Sequence, residues 1–297
     1  MMGCASFLRR PALVAALIAS VGCGGGSITG PSAAGARDSF TVMTYNIQHG
    51  LDANGRYNLQ GVIDVIGRLQ PDIVGLQELT KNHPIYNCDD QPSAIAEGLQ
   101  RITGRPWSVV YEREWFTPDR SCLDRGVGTD VETEGLAFLA PSALVNTQSL
   151  PLFNTRLAMA ARTSGRVSVP VIVTHLGSGA AGASDRAAQL AQLRPWATGH
   201  GVPRILMGDL NAQPTGPEMQ SLLTEYRDAW SDALAAGVAR GVMTGDSRVR
   251  GGRIDYVLYA GTDLQIESAE TVDTTALLGI RTEVSDHRPV VVRFSRR

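Results

Sequence analysis

The amino-acid sequence predicts one α/β domain in which β-sheets pack with helices. Short apolar runs of the kind that form buried strands recur along the chain, and amphipathic helical segments separate several of them. With 297 residues, the chain is long enough for one large domain or two small ones. No internal repeat and no second domain boundary is evident in the sequence, so we expect a single large domain.

The first strand, at residues 40–47, is rich in β-forming residues and ends in a polar stretch. A helix is expected at 59–69, because its apolar residues recur at helical spacing and Asn58 is placed to cap it. Residues 112–131 are expected to form a polar loop. The other predicted strands are 73–78, 107–111, 134–139, 157–161, 167–175, 203–209, 253–259 and 288–294, and the other predicted helices are 92–102 and 184–196, the last capped by Ser184.

The N-terminal segment has the layout of a secretory signal. Arg9 and Arg10 precede the apolar run 12–21, which is too short to span a bilayer as a permanent helix. Cys23 and the glycines after it resemble a bacterial lipoprotein signal, in which the cysteine becomes the lipidated first residue.

These features predict three segments. Residues 1–23 are a signal peptide of the lipoprotein type, 24–38 a flexible linker and 39–297 the folded domain. We expect an exported protein that is attached to the membrane through a lipidated Cys23. Ordinary signal cleavage within 32–36 is the alternative, and it would give a periplasmic or secreted protein.

The charge distribution argues against one class of function. The formal net charge is −2 and Lys81 is the only lysine, with no basic block in the chain. This pattern disfavours tight, sequence-indifferent binding to long nucleic acid, although it is compatible with a nuclease that visits its substrate briefly. No feature indicates a protein partner, and we expect a monomer.

Removal of the signal segment leaves Cys88 and Cys122, together with Cys23 if that residue is retained. Cys88 and Cys122 lie in polar, loop-like surroundings and lack metal-ligand spacing, which argues against a zinc site. Two such cysteines in an exported domain most simply form one disulfide. We therefore expect a Cys88–Cys122 bridge between two long loops.

Residues that can bind a cation or a phosphate stand at the predicted ends of several strands. After the run 203–206, Asp209 and Asn211 project from the same side of an extended segment. Aspartate can bind a hard cation or orient a water, and asparagine can hydrogen-bond a phosphoryl oxygen without adding charge. The alternative for this stretch is an Asx-turn that closes the strand. The complete set of strand-end residues is Asn46, Glu78, Glu134, His175, Asp209, Asn211, Asp255, Asp286 and His287.

The sequences around these residues form six short motifs. They are Thr44-Tyr45-Asn46-Ile47, Leu76-Gln77-Glu78-Leu79, Thr174-His175-Leu176, Gly208-Asp209-Leu210-Asn211, Arg253-Ile254-Asp255-Tyr256 and Ser285-Asp286-His287-Arg288-Pro289. In these motifs and their order the chain, from about Phe40 to Phe294, resembles the endonuclease/exonuclease/phosphatase superfamily, also called DNase I-like. It is most similar to small bacterial exported metal-dependent hydrolases that begin Thr-Tyr-Asn-Ile-x-His-Gly. The resemblance implies a four-layer α/β/β/α sandwich, with two mixed sheets face to face and helices outside.

The resemblance also implies hydrolysis of a phosphoester with the help of Mg²⁺ or Mn²⁺. Glu78 and Asp286 resemble the family's metal ligands, and Asn46 resembles a second ligand on either the metal side or the phosphate side. Asp209 resembles the residue that orients or deprotonates the attacking water, and Asn211 resembles a contact to the phosphate or the transition state. Physical chemistry agrees, because a hard cation held by carboxylate and amide oxygens offsets the charge that develops on an anionic phosphoester.

His287 and His175 resemble the two histidines of the family's site. The carboxylate of Asp255 would hold His287 in one tautomer and favour its charged form, which suits either a general base or a stabiliser of phosphoryl charge. His175 resembles a phosphate-facing histidine. Glu134 resembles the carboxylate that pairs with His175, and Glu132 is a near alternative.

Two further residues each have two interpretations. His49 either makes a secondary contact to the site or has a structural role. Arg253 either contacts the phosphate or holds Asp255 in place through an ion pair. The loops 82–90 and 112–130 carry several aromatic residues, and we expect these loops to set substrate specificity.

We therefore expect a divalent-metal-dependent phosphoester hydrolase, in the first place a phosphodiesterase in which water attacks phosphorus. Nucleic acid, a phospholipid headgroup and a small phosphoester are the candidate substrates. One alternative is a phosphomonoesterase that acts on lipid or inositol headgroups. Another is a non-catalytic envelope binding module, since one fold supports many functions. The loop and the basic insertions typical of DNA-repair members have no convincing match, which argues against a repair nuclease.

Overall fold

The computed structural model describes residues 38–296. The predicted signal peptide, Cys23 and the linker as far as residue 37 lie outside the described residues. Among the described helices, none has the length and apolar character needed to cross a membrane.

The strands are numbered in chain order. They are β1 Ser39–Asn46, β2 Ile73–Lys81, β3 Ser108–Phe116, β4 Thr133–Ala140, β5 Leu144–Leu152, β6 Arg156–Thr163, β7 Val171–His175, β8 Arg204–Asp209, β9 Arg227–Asp228, β10 Ala239–Gly241, β11 Asp255–Ala260, β12 Leu264–Thr271 and β13 Val290–Arg296. The helices are α1 Leu59–Leu69, α2 Gln91–Thr103, α3 Ser121–Asp124, α4 Ala183–Gly199, α5 Pro217–Leu222, α6 Ala229–Ala235 and α7 Thr274–Leu278. Short 3₁₀ turns lie at Gln48–Gly50 and Pro84–Tyr86.

The strands form two mixed sheets. The first has seven strands in the order β10-β12-β13-β1-β2-β4-β3, and the second has six in the order β5-β6-β7-β8-β11-β9. β1 and β2 run parallel, as do β7 and β8, so each pair directs its C-terminal ends to one edge of its sheet. Asn46 and Glu78 therefore lie near one edge of the first sheet. In the second sheet, Asp209 lies opposite both His175 and Asp255.

The two sheets pack face to face around a central core. Val42 and Phe138 of the first sheet share one buried cluster with Val173 and Met207 of the second. The sheets approach closely at Gly75, where a Cβ atom would lie 2.8 Å from both Met207 Cε and Val173 Cγ2. This close packing fixes the position of one sheet relative to the other.

Helices cover the outer face of each sheet. Val62 and Ile66 of α1 and Leu99 of α2 are buried in one cluster with side chains from the outer face of the first sheet. Leu190 of α4 and Leu222 of α5 belong to the corresponding cluster on the second sheet. The predicted four-layer α/β/β/α sandwich is confirmed.

Some elements differ from the sequence prediction. β3 continues through Phe116 into the predicted polar loop, and β5 and β12 were not predicted. β3 and β5 are edge strands, and β5 and the second half of β3 contain exposed residues, so these stretches lack the apolar pattern of a buried strand. Helix α1 is capped by Asn58 as predicted, whereas α4 begins at Ala183 after Gly182, so Ser184 is not its cap.

Candidate active site

The ends of strands from both sheets surround a cavity of about 380 Å³. It is lined by His49, Glu78, Glu134, Arg156, His175, Ser178, Gly179, Asp209, Asn211, Arg248, Ile254, Asp286 and His287. Of the predicted site residues, Asn46 and Asp255 do not line it, but both hydrogen-bond to residues that do. A larger cavity of about 720 Å³ lies beside α4 and contains none of the predicted residues. Its carboxylate, Glu225, is already bound by Arg194, so the smaller cavity is the better candidate.

A bulge in β2 directs Glu78 into the cavity. The pairing of β2 with β4 shifts register between Leu76 and Leu79, and Glu78 has a left-handed φ of 58°. Such bulges re-aim a side chain and occur often beside active sites. The Glu78 carboxylate accepts a hydrogen bond of 2.8 Å from Asn46 Nδ2, which also donates to Asp209 Oδ2 at 3.2 Å. Asn46 thus joins carboxylates from the two sheets.

Asp209 ends β8 and is buried, with an exposure of 1%. Its Oδ1 accepts a hydrogen bond from the Asn211 backbone N–H at 2.9 Å, so the Asx-turn is present. Its Oδ2 faces His175 Nε2 at 3.6 Å, on the cavity side. Asn211 donates from Nδ2 to the Leu176 carbonyl at 3.0 Å and also lines the cavity. The turn and the chemical interpretation of this motif are therefore compatible.

The predicted pair of Asp255 and His287 is present in the structure. His287 Nδ1 lies 2.8 Å from Asp255 Oδ2, and both side chains are buried. Burial alone would lower the pKa of His287. The charge of Asp255 and its hydrogen bond, aided by Asp209 and Asp286, outweigh that effect and raise this pKa to about 10. His287 is therefore an imidazolium at neutral pH.

The ionised form of Asp209 is less stable than that of an ordinary aspartate. Burial, and then the nearby charge of Asp255, raises the pKa of Asp209 to about 7, although His287 opposes this shift. His287 Nε2 lies 3.9 Å from Asp209 Oδ2. Asp209 is thus a carboxylate whose proton affinity suits acid–base chemistry near neutral pH.

His175 has a different partner from the one predicted. Its Nδ1 lies 3.0 Å from Arg156 Nη1, and Glu114 Oε2 lies 3.6 Å from the same Arg156 atom. Burial, followed by the charges of Arg156 and His287, lowers the pKa of His175 well below its usual range. Burial raises the pKa of Glu114 well above its usual range, and the charge of Arg156 opposes this effect.

The predicted pairing of Glu134 with His175 is therefore corrected. Glu134 lies opposite Thr80 of β2, which places it on the β2 side of the cavity, and its Oε2 is 3.6 Å from His49 Nδ1. Burial raises the pKa of Glu134. The alternative, Glu132, contacts His83 instead, with Oε1 at 3.3 Å from Nε2.

His49 makes a secondary contact to the site. Its Nε2 lies 3.5 Å from Glu78 Oε2, while its Nδ1 faces Glu134. The ring stacks on Tyr86, with centroids 5.5 Å apart. Tyr86 belongs to the loop that the Cys88–Cys122 disulfide joins to α3. The expected bridge is present, and it ties to α3 the loop whose Tyr86 contacts the cavity residue His49.

Asp286 lines the cavity as predicted. Burial raises its pKa, and so does the charge of Glu78, while His287 opposes the shift. Arg253 fits neither of its interpretations, because its Nη1 binds Asp228 Oδ2 at 2.5 Å. That contact turns the guanidinium towards the start of α6.

Sequence reasoning missed three charged residues near the cavity: Glu114, Arg156 and Arg248. Arg156 is the first residue of β6, one position before the predicted strand. Glu114 follows Glu112 and Arg113 in the predicted polar loop, where a single charged residue carries no signal of burial. Arg248 pairs with His287 in an isolated β-bridge, a long-range contact that local sequence does not encode.

The model of the Endonuclease/Exonuclease/phosphatase family matches residues 43–287. The chain belongs to this family. The family match contains every predicted site residue, from Asn46 to His287. No curated protein matches the chain in sequence.

Solved structures share the fold of this family member. An endonuclease/exonuclease/phosphatase from Beutenbergia cavernae DSM 12333 has 22% identity and a TM-score of 0.65, covering 88% of this chain and 72% of its own. The human Nocturnin catalytic domain with bound sulfate has 22% identity and a TM-score of 0.62, covering 88% and 96%. A mannosyl-6-phosphatase from Bacteroides thetaiotaomicron VPI-5482 has 14% identity and a TM-score of 0.60, covering 86% and 99%.

The donor set of the family site suits a divalent cation. Among residues 38–296, two groups of side chains bring their ligand atoms within 4.8 Å of one another. They are Glu78, His175 and Asp209, and Asp209, Asp255 and His287. The predicted ligand Asp286 belongs to neither group. Carboxylate oxygens dominate the cavity, and burial, with a smaller contribution from the charge of Glu78, raises the pKa values of Glu134, Asp209 and Asp286. A hard cation fits this environment.

Proposed function

We propose that the protein is a phosphodiesterase that hydrolyses a phosphoester with Mg²⁺ or Mn²⁺. The observation that carries the proposal is the meeting of carboxylates from both sheets beside the His287 imidazolium in one cavity. Such a site offers ligands for a cation, a base for water and a positive group for phosphoryl oxygens. Membership of the family supports the same chemistry.

We place the cation on the Glu78 side of the cavity. Glu78 and Asp286 supply carboxylates there, and Asn46 supplies an amide. The group of Asp209, Asp255 and His287 is the less favourable position, because a histidine protonated at neutral pH has no lone pair for a metal. When bound, the cation offsets the negative charge that develops on the phosphoryl oxygens.

The remaining residues handle the proton and the phosphate. Asp209, with a pKa of about 7, accepts a proton from the attacking water. The His287 imidazolium faces the cavity through Nε2 and stabilises phosphoryl charge, while Asp255 keeps it protonated. Asn211 lines the same wall and contacts the phosphate without adding charge.

The charge of the cavity favours a diester over a monoester. Glu78, Glu134, Asp209 and Asp286 line it, against Arg156, Arg248 and the His287 imidazolium. With the proposed divalent cation bound, these charges sum to about +1, which the single charge of a phosphodiester balances and the two charges of a monoester dianion exceed. This balance supports the phosphodiesterase assignment.

We also infer that the protein works outside the cytoplasm. The Cys88–Cys122 disulfide is consistent with an oxidising compartment. Lipidation at Cys23 stays a prediction, which mass spectrometry of the mature N-terminus tests. A diacylated or triacylated Cys23 is the expected result, and an unmodified N-terminus within 32–36 would refute it.

The reaction is tested with bis(p-nitrophenyl) phosphate and p-nitrophenyl phosphate as diester and monoester. Each is assayed with Mg²⁺, Mn²⁺ or EDTA, for the wild type and Asp209→Ala. We expect metal-dependent cleavage of the diester that EDTA and the substitution both abolish. Faster cleavage of the monoester would assign a phosphomonoesterase instead. Diester cleavage that persists in EDTA would refute the metal-dependent mechanism.

A further inference from the structure

The contact between Arg156 and His175 defines where the imidazole proton lies. Arg156 Nη1 is 3.0 Å from His175 Nδ1, at the start of β6 and the end of β7. A guanidinium has only N–H donors and no acceptor, so the Arg156 N–H must donate. His175 Nδ1 is then the acceptor and carries no proton. A neutral imidazole with a bare Nδ1 carries its proton on Nε2.

The Nε2–H of His175 points towards the reaction centre. Nε2 lies 3.6 Å from Asp209 Oδ2 and 3.9 Å from Glu78 Oε1, and His175 lines the cavity. We propose that Arg156 is a positioning residue that fixes His175 as a neutral hydrogen-bond donor, with its proton held on Nε2. His175 therefore donates a hydrogen bond to the bound phosphoryl group and does not act as a general base.

Glu114 is the second member of this arrangement. Its side chain is fully buried on β3, with Oε2 3.6 Å from Arg156 Nη1 and 3.9 Å from His175 Nδ1. Had Glu114 bound Nδ1 directly, the proton would lie on Nδ1, as in a carboxylate–histidine pair. Arg156 is closer to Nδ1 and prevents this. Glu114 instead faces the guanidinium at 3.6 Å, so a residue of the first sheet packs against Arg156 of the second.

His287 shows the opposite arrangement in the same cavity. Its Nδ1 faces the Asp255 carboxylate at 2.8 Å, so Nδ1 carries a proton. The two histidines thus differ in the partner of Nδ1, an arginine for His175 and a carboxylate for His287. The donor role of His175 rests on the proposed hydrolysis, but the position of its proton does not.

The position of the proton is tested by NMR on protein labelled with ¹⁵N-histidine. Long-range ¹H–¹⁵N correlations distinguish a bare ring nitrogen from a protonated one, and the spectrum of His175→Gln identifies the His175 signals among the five histidines. At neutral pH we expect a bare Nδ1 and a protonated Nε2 for His175, with His287 as an internal control protonated at Nδ1. A protonated Nδ1 on His175 in the wild type would overturn the proposal.

Variants of Arg156 and Glu114 test whether these residues fix the proton of His175 on Nε2. Arg156→Met leaves Glu114 buried without its counter-charge, so Arg156→Met with Glu114→Gln is the variant that keeps the charge balanced. We expect this double variant to lose the single-tautomer signature of His175 and to leave the signals of His287 unchanged. An unaltered His175 spectrum would show that Arg156 does not position the proton.

Kinetics then test the donor role. Glutamine places an amide N–H near the position of Nε2–H, whereas alanine offers none, so His175→Gln should retain kcat within about 10-fold of the wild type. His175→Ala should lose roughly 100- to 1,000-fold, as removal of one transition-state donor does. Equal loss in both variants would refute donation from Nε2. If the wild type hydrolyses neither ester, the proposed function fails, while the NMR experiment still decides the tautomer.

Discussion

The substitution Glu78→Gln should abolish the stabilising effect of Mg²⁺ on the folded protein. Burial raises the pKa values of Glu134, Asp209 and Asp286, and the negative charge of Glu78 adds to this effect. Without metal, the neutral amide relieves this repulsion. It also weakens the hydrogen bond from Asn46 Nδ2, which loses its charged acceptor at a cost of about 1 kcal/mol. The two effects oppose each other, so the metal-free variant should be as stable as the wild type to within about 1 kcal/mol.

With Mg²⁺ the two proteins should differ. At a Mg²⁺ concentration ten times the dissociation constant, binding stabilises the folded wild type by RT ln 11, about 1.4 kcal/mol. For a domain of this size, that free energy raises the melting temperature by roughly 3–6 °C. The variant lacks the central carboxylate ligand and should show no rise over the same range.

The assay is thermal unfolding by differential scanning calorimetry, with Mg²⁺ titrated from zero and EDTA as the baseline. Glu97→Gln is a matched control, because this glutamate is exposed on α2 and does not line the cavity. The control should show the full rise of the wild type. An equal rise in Glu78→Gln would place the metal elsewhere, on the side of Asp209 and Asp255.

Three further outcomes are expected. The disulfide joins cysteines with a sequence separation of 34. The double variant Cys88→Ser, Cys122→Ser should therefore lose about 4 kcal/mol of unfolding free energy and melt roughly 8–16 °C lower. An unchanged melting temperature would show that the bridge does not constrain the unfolded chain. In Asp255→Asn, His287 loses its carboxylate partner and should be neutral at neutral pH. We expect kcat to fall at least about 100-fold, while Mg²⁺ binding measured by calorimetry changes little. Gly208→Ala would place Cβ 1.9 Å from a carbonyl oxygen of β7, at a residue whose φ is 144°. It should lower the unfolding free energy, measured by chemical denaturation, by about 3 kcal/mol or more. The control Gly199→Ala has open space around the new Cβ and should leave the unfolding free energy unchanged.

The sequence predicts correctly those parts of the site that depend on local patterns. Asp209 and Glu78 follow buried strands, and their apolar flanks made the strands and their ends predictable. The pair of Asp255 and His287 was likewise predicted and is present at 2.8 Å. What sequence could not supply was the contact across elements. Glu134 is a suitable partner for His175 by residue type, but the register of β4 with β2 places it beside His49 instead.

Dependence on local sequence patterns also explains the errors in the predicted strands. Buried strands such as β7 and β8 carry an apolar signal over their whole length, and both were predicted. The edge strand β5 and the second half of β3 carry exposed and polar residues, so their sequences are those of a polar loop. Glu114 lies in β3 and is nevertheless fully buried, because it faces Arg156 of the second sheet. A residue of this kind is visible only once both sheets are in place.

The division of the site between two sheets separates its chemical tasks. The first sheet contributes Asn46 and Glu78, which we assign to the cation. The second contributes His175, Asp209 and Asp255, to which we assign the handling of protons. Loss of a first-sheet ligand should therefore abolish Mg²⁺ binding and turnover together, whereas loss of a second-sheet carboxylate should leave a protein that binds Mg²⁺ but turns over slowly. Because Asn46 donates hydrogen bonds to carboxylates of both sheets, its loss should disturb both the cation ligand Glu78 and the proton acceptor Asp209.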